Sequence, residues 1–466
     1  KMADEAAASH EEADKHKNLS ITVDVSTCCY DLVRSSVTAC GWKLLESADE
    51  TARRAQRCHM YWTDRSVTRT RVACLGEHQV INHFPGMLAL TSKSSLATNL
   101  KKMQLLHPDD YNFAPESWLL PEDHAAFQRE CRRNRKSRGG GMYIVKPERG
   151  CQGRKIFLTD DANDRAIKKA AWYGTMGGDA LVAQQYIQKP LVLYSQPSDK
   201  GYKFDLRLYV LVTSCDPLRV LLYTDGLARF CTQPYDEASD SNKHLRYMHL
   251  TNFSLNKSNV QHFSESADAN DATTGSKRRV GVFFDFLQRE GYDMERVWVQ
   301  IEGIAAKAAL AVQPVLQHYY RLSKPHDKFG DRCFEVLGMD ILLDADLKPW
   351  LLEFNHSPSF HCEGAVDIAV KQPFITDMLQ LLTPSLQRRS QLLARSHAAG
   401  SHVATSRAAT AGPGSHGILQ MMRHKMCESH RVKSPDHSTH STQHKNKTQH
   451  TNKNDAADSA DDEQEG

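Results

Sequence analysis

The stretch GYKFDLRLYVLVTSCDPLRVLLYTDGLARF, residues 201–230, constrains the fold most. Two long runs of strand character flank a Cys-Asp-Pro turn, which reads as an antiparallel pair. Side chains alternate across a strand, so Lys203, Asp205 and Arg207 share one face while Phe204, Leu206 and Leu208 fill the other. Three charges on one face of an otherwise apolar sheet point to the wall of a cleft; the competing reading is an edge strand exposed on that side. A second pattern, CFEVLGMDILLDADLKPWLLEFN over residues 333–355, reads as a hairpin turning at Asp344–Leu347. That turn puts Asp340 opposite or diagonal to Glu353, and alternation puts Asn355 on the same face as Glu353. Three oxygen side chains so placed suit a hard divalent ion such as Mg²⁺, which commonly adds nucleotide phosphates to a few protein oxygens. Either acid alone would more simply cap a strand or pair with an arginine; the set of three favours the metal.

A chain of 466 residues suits two or three domains. Residues 19–115 read as an N-terminal α/β domain, with strands at 19–26 and 58–64, a helix at 29–42, and a loop followed by a helix with Ser/Thr capping options across 81–103. Residues 116–200 form a central unit whose strands are MYIVKP, KIFLTD and ALVAQQYIQKP. Residues 201–385 form the largest unit, with a polar, mobile loop expected at 257–280 and helical spacing across 283–320. The flanks, 1–18 and 386–466, carry too little apolar surface to offset the entropy of ordering and are expected to be disordered. The class is α/β (α+β).

The net charge of +3 is small for this length, so attraction to an acidic partner must come from local patches. The basic run RECRRNRKSRGGG, 129–141, lacks interleaved aromatics and reads as a solvated helix end rather than a nucleic-acid surface. Twelve cysteines form no CxxC pair, which gives no zinc ribbon and implies reduced thiols of a cytosolic protein. The first residues have no apolar signal core, and no window reads as an uninterrupted span of membrane length. The start at Lys1 is read as that of a fragment.

Two weaker signals accompany the hairpins. In YIVKPERGCQGRKIFL, Lys146 ends an apolar strand and precedes a glycine-containing loop around Cys151 and Gln152, an arrangement able to hold phosphate oxygens. A hairpin whose lysine reaches solvent is the plainer alternative, and neither a Walker loop nor GxGxxG is present. Arg229 in GLARF, with Thr251, Asn252, Ser254 and Lys257 in HLTNFSLNK, suits a polar substrate, although each alone is more often a turn or cap residue.

The ordered blocks VKPERGCQGR, QQYIQKP, GYKFDLRLYVLVTSCDPLRV, GLARF, MHLTNFSLNK and CFEVLGMDILLDADLKPWLLEFNHSPSF together resemble the tubulin tyrosine ligase-like family across about residues 19–385. Within that family the chain is most similar to the polyglutamylases of the chain-elongating branch. The resemblance implies an ATP-grasp fold with N-terminal, central and C-terminal subdomains. It implies that Lys146, Gln152, Gly153, Gln184, Gln185, Tyr186, Ile187, Lys203, Asp205, Thr251 and Asn252 hold ATP. By the same resemblance Asp340, Glu353 and Asn355 bind two Mg²⁺ ions. Arg229, Phe253, Ser254, Lys257 and Lys371 hold the incoming amino acid. Arg207 lies near the transferred phosphoryl group, and His356 is associated with extending a glutamate chain. The implied partners are the acidic tails of tubulin in microtubules and free L-glutamate, with no nucleic acid, no membrane and a monomeric state. The implied place is cytoplasm and cytoskeleton, at a cilium or basal body. An initiating polyglutamylase, a glycylase, and a catalytically silent microtubule-binding protein remain open. Departures from the family pattern are Lys155 for a common glycine, Phe253 for a common tyrosine, and the insertion LVLYSQPSDK before Gly201.

Overall fold

The computed structural model describes residues 21–46, 58–136, 141–150, 153–174, 180–194 and 200–407. The flanks 1–18 and 408–466, Gln152, and 195–199 of the insertion lie outside them. Strands β1 (Thr22–Thr27), β2 (Lys43–Leu45), β3 (Met60–Thr63) and β4 (Val80–Ile81) form a parallel sheet in the order β2-β1-β3-β4. Strands β5 (Ser117–Leu120), β6 (Tyr143–Pro147), β7 (Phe157–Thr159) and β8 (Leu181–Gln185) form an antiparallel sheet, β5-β8-β6-β7. The largest sheet runs β12-β11-β10-β13-β14, with β9 (Val192–Tyr194) also on β10. Its members are β10 (Gly201–Cys215), β11 (Leu218–Phe230), β12 (Lys277–Arg279), β13 (Glu335–Leu343) and β14 (Pro349–His356), all antiparallel. The result is the mixed α/β class expected from the sequence.

Alternation along β10 decides what each face meets. Phe204, Leu206, Leu208, Val210 and Val212 join Leu337, Met339 and Ile341 of β13 in a core covered by the helix Met294–Ser323. On the opposite face Tyr209 and Leu211 pack with Val336, Phe374, Ile375 and Met378, the last three from and beside the helix Ala365–Arg407. That helix covers only the Tyr209–Leu211 end, so the same face is left for Lys203, Asp205 and Arg207. The first core also contains Cys58, Tyr61, Val72 and Phe84, so the segment before residue 115 shares its interior with the largest sheet. The central sheet has its own core, where Trp118, Tyr143, Val145 and Ala183 meet Phe127 and Cys131 of the helix His124–Lys136.

Four expectations are corrected. The helix from Ala365 does not stop at 385 but continues to Arg407. Arg389 is 1% exposed and pairs with Asp327 and Asp331, so the basic run after 386 is anchored by acids distant in sequence. The polar stretch 257–280 ends in strand β12, fixed by Arg278 stacked on Phe230 at 4.0 Å. Helix Met294–Ser323 is long and apolar enough to cross a membrane, contrary to the expectation from the sequence, yet its apolar stripe is spent on the core. Among the described residues nine cysteines are free thiols.

Candidate active site

The cross-strand registers turn separate motifs into a continuous charged surface. Asp205 of β10 lies opposite Arg229 of β11, and Arg229 lies opposite Lys277 of β12. One step along, Arg207 lies opposite Asp340 of β13, and Asp340 opposite Glu353 of β14. Arg229 grips Asp205 with two bonds, Nε to Oδ1 at 2.8 Å and Nη2 to Oδ2 at 2.5 Å, and reaches Asp340 Oδ2 at 3.0 Å. Arg207 grips Asp340 in the same forked way, at 2.5 and 2.9 Å. Gly338 permits this, since a Cβ there would stand 3.1 Å from the Arg207 Cδ and Nε. Burial alone would raise the Asp340 carboxyl, but Arg207 and Arg229 outweigh it and hold the group ionised well below the usual carboxylate range.

Asp340, Glu353 and Asn355 therefore share a face as expected, and Asn355 Nδ2 donates to Asp340 Oδ2 at 3.2 Å. Their donor atoms are hard oxygens, and the ionised, buried Asp340 beside Glu353 is the donor chemistry that Mg²⁺ takes. The set fits the ion.

Lys146, on β6, is buried on the open face of the central sheet and donates to Gln184 Oε1 at 2.9 Å. Gln184 in turn donates to Ser117 Oγ at 3.1 Å. Burial lowers the Lys146 ammonium, with Glu353 the first charge opposing that fall. A cavity of 280 Å³ lies between Lys146, Gln184 and Ser117 on one side and Glu353, Leu351 and Leu100 on the other. The loop after β6 is tied down by Glu148, which accepts from the Ser94 N–H and Ser92 hydroxyl at the start of helix Lys93–Leu106. Further on, Gly153 has φ of +72° and faces Asn252 so closely that a Cβ would stand 2.8 Å from Oδ1. Its carbonyl accepts from Arg246 Nη2 at 2.6 Å. Lys155 keeps a positive φ of 59°, so the departure from glycine holds a glycine-like backbone.

Lys203 is buried between Tyr186 OH at 2.9 Å and the carbonyl of His249 at 3.0 Å, and burial lowers its pKa to about 8. His249 also bonds Tyr186 OH through Nδ1 at 3.0 Å. Thr251 is buried, whereas Gln185 and Ser254 are exposed and Ile187 is half-buried. At the outer end of the charged row, Lys257 pairs with Glu363, and Lys371 pairs with Asp367 at 2.8 Å. The Phe253 ring lies 3.6 Å from Lys277 Nζ.

His356 does not join this row. Alternation along β14 directs it to the face of Phe354, where Nε2 meets the buried Glu335 carboxylate at 3.0 Å. Its ring stacks on His83 at 4.7 Å, and His83 Nδ1 meets the same Glu335 oxygen at 3.0 Å. Sequence reading missed Lys277, Asp367, His249 and Glu335. Only Lys277 left a signal, the alternation of Lys277 and Arg279 around Arg278 before an apolar helix.

Comparison with known proteins matches residues 72–391 to the tubulin-tyrosine ligase family. The chain is 42% identical over 370 residues to the human protein named tubulin polyglutamylase TTLL13, covering 79% of this chain and 41% of that protein. It is 40% identical over 368 residues to mouse tubulin polyglutamylase TTLL6, covering 79% and 41% respectively. A Tetrahymena thermophila protein named probable beta-tubulin polyglutamylase is 38% identical over 337 residues, 72% of this chain and 26% of that one. The chain thus spans about two-fifths or less of the length of these curated relatives.

Proposed function

Because this chain belongs to the tubulin-tyrosine ligase family, we propose that it is an ATP-dependent tubulin polyglutamylase, adding glutamate to glutamate side chains in the acidic tails of tubulin. The observation that carries this reading is the ionised Asp340 in register with Glu353 and clamped by Arg207 and Arg229. Joining an amine to a carboxylate in water requires an activated acyl group. In this mechanism the acceptor carboxylate takes the γ-phosphoryl group of ATP with release of ADP. The amine of free glutamate then attacks the acyl carbon, phosphate leaves, the amine proton is lost, and an isopeptide or peptide bond remains.

Each side chain has a defined part. Lys146 and Lys203 bind phosphates from opposite walls, and Asn252 positions the Gly153 loop against them. Arg207 offers a planar cation toward the phosphoryl group, and Arg229, with Lys257 and Lys371 near it, holds the carboxylates of the donor amino acid. Asp340, Glu353 and Asn355 would hold two Mg²⁺ ions, which supply charge neutralisation to the phosphates. Intact carboxylates and their cationic partners favour an enzyme over a silent binding protein. Chain elongation is retained as the finer reading from resemblance; the position of His356 on the other face of β14 adds no support to it.

The test is incorporation of labelled glutamate into tubulin by the purified chain with Mg-ATP, using acceptors with and without an existing branch glutamate. Incorporation is expected, with preference for branched acceptors, and Glu353→Gln should lower the rate by at least a hundredfold. Microtubule binding without incorporation would refute the enzymatic reading, and full activity in Glu353→Gln would refute the metal assignment.

A further inference from the structure

On the face of β14 turned away from Asp340, three segments bring nitrogen and oxygen donors together. His83 follows β4, Glu335 opens β13 and His356 ends β14. One ring nitrogen of each histidine and a carboxylate oxygen of Glu335 all lie within 4.8 Å of one another. Both imidazoles meet the same oxygen, Oε1, His83 through Nδ1 and His356 through Nε2, each at 3.0 Å. The other oxygen, Oε2, accepts from the Phe84 N–H at 2.8 Å. The Glu335 side chain is fully buried, that of His83 is 3% exposed and that of His356 17%.

The outer ring nitrogens decide what faces the carboxylate. His83 Nε2 lies 2.8 Å from the Thr63 carbonyl, which can only accept, so Nε2 carries the hydrogen. In the neutral ring Nδ1 is then a bare lone pair aimed at a carboxylate oxygen 3.0 Å away. Two acceptors so placed repel unless a positive charge lies between them, either a second proton or a metal ion. His356 Nδ1 lies 3.0 Å from Ser357 Oγ, which can accept from it and leave Nε2 free to ligate. Metal-binding histidines are held in this way, with the outer N–H on an oxygen that fixes the tautomer. A proton joins one pair of acceptors, whereas a divalent ion joins all three. Burial alone would raise the Glu335 carboxyl, but His356 and His83 outweigh it and hold it below its ordinary value, as an ionised ligand. A cavity of 20 Å³ lined by Thr63, Asn82, His83 and Ser357 has room for one water, and so for a fourth ligand. The two rings are stacked 8° from parallel. An ion in the plane of His83 therefore requires the His356 ring to tip, which its partial exposure and the broad χ2 of histidine allow.

We propose that His83, Glu335 and His356 form a site for one divalent transition-metal ion of the Zn²⁺ class. The site is separate from Asp340, Glu353 and Asn355, which lie on the other face of the same sheet. Two imidazole nitrogens and one carboxylate select Zn²⁺, Co²⁺ or Ni²⁺ over Mg²⁺. The bound ion ties the segment after β4 to two strands of the largest sheet.

The experiment needs no tubulin, so its outcome is independent of the proposed activity. The full chain is stripped with a chelator and titrated with Co²⁺ in excess Mg²⁺, following the visible absorption of four-coordinate Co²⁺. The parent should take up one such equivalent, bleached by one equivalent of Zn²⁺. His83→Gln and His356→Gln should each weaken that equivalent at least tenfold. His356 is the less buried of the two, so His356→Gln carries the test should His83→Gln fail to fold. Histidines after residue 407 can also take Co²⁺, but their equivalents remain in both variants. Saturating Zn²⁺ should raise the thermal unfolding midpoint of the parent by about 3 °C and leave that of either variant unchanged. The proposal is overturned if the parent binds no ion, if the variants retain every equivalent that the parent binds, or if Zn²⁺ shifts all three midpoints equally. Any of those results assigns the positive charge beside Glu335 to a proton.

Discussion

Replacing Asp340 by Asn tests the charge arrangement at the centre of the site. Asp340 is 3% exposed and accepts from Arg207 Nε at 2.5 Å and Nη2 at 2.9 Å, and from Arg229 Nη2 at 3.0 Å. Around it two guanidinium groups face two carboxylates, Asp205 and Asp340. Asn preserves the shape but removes one negative charge and turns an amide donor toward a guanidinium donor. Leaving a buried charge without its partner costs about 3–5 kcal/mol. Arg207→Met should cost a similar amount, since it leaves two carboxylates on Arg229 alone. The double variant restores a neutral Arg229–Asp205 pair, so the two losses should not add. Their coupling should reach at least about 2 kcal/mol, the upper part of the range for contacting residues. Urea unfolding of the four chains measures this through the midpoint and slope. The reasoning is refuted if Asp340→Asn stays within about 1 kcal/mol of the parent, or if the double variant equals the sum of the singles.

Two further outcomes follow from other parts of the structure. Burial lowers Lys203 from 10.5 to about 8, so between those values the unfolded chain holds the proton that the folded chain has lost; stability contributed by this group rises with pH across that window. Phosphates favour the ammonium, so ATP affinity should fall as pH rises through about 8, with proton uptake on binding above it. Calorimetry in buffers of different ionisation enthalpy reads that uptake; its absence at high pH, or its persistence in Lys203→Gln, counts against a phosphate contact. Arg389→Ala should destabilise the chain by about 3–5 kcal/mol, because it strips a buried cation from Asp327 and Asp331. An unfolding midpoint equal to that of the parent would show the helix end to be dispensable.

What was legible in the sequence was local. The hairpin of β13 and β14 turns where expected because Asp344 fixes it: Oδ1 accepts from the N–H groups of Asp346 and Lys348, and Oδ2 accepts from Trp350 Nε1. The register that joins Asp340 to Glu353 follows from that turn, with one irregularity after Asp340. Lys203, Asp205 and Arg207 share a face because period two allows nothing else. Less legible were partners supplied by distant segments. Arg389 reads as part of a solvated basic tail until Asp327 and Asp331 are placed beside it, and Lys277 reads as loop until β12 pairs with β11. His356 is the reverse case: alternation from Asn355 already placed it on the opposite face, whereas resemblance grouped it with the site. The strand period was the better guide to its position.

A near-neutral chain gains a candidate site for anions by sorting its charges. Lys146, Lys203, Arg207, Arg229, Lys277 and Lys371 converge on the cleft and its outer edge, against Asp205, Asp340, Glu353 and Asp367. The excess of cations is local, while the whole chain carries only +3. It is also fixed in place, since each arginine is forked onto a carboxylate and each strand is anchored by an apolar opposite face. Donors held this way need no reorganisation when charge arrives, and burial strengthens what they contribute. Across the sheet Glu353 lies at the cavity side, Arg207 and Asp340 occupy the middle, and Arg229 and Lys277 extend to the far edge, while Lys146 faces the cavity from the central sheet. Under the proposed function a nucleotide, an acceptor carboxylate and a dicarboxylic donor are all anions, and their counter-charges are set apart on β6 of the central sheet, on β10, β11 and β12 of the largest sheet, and on the helix from Ala365.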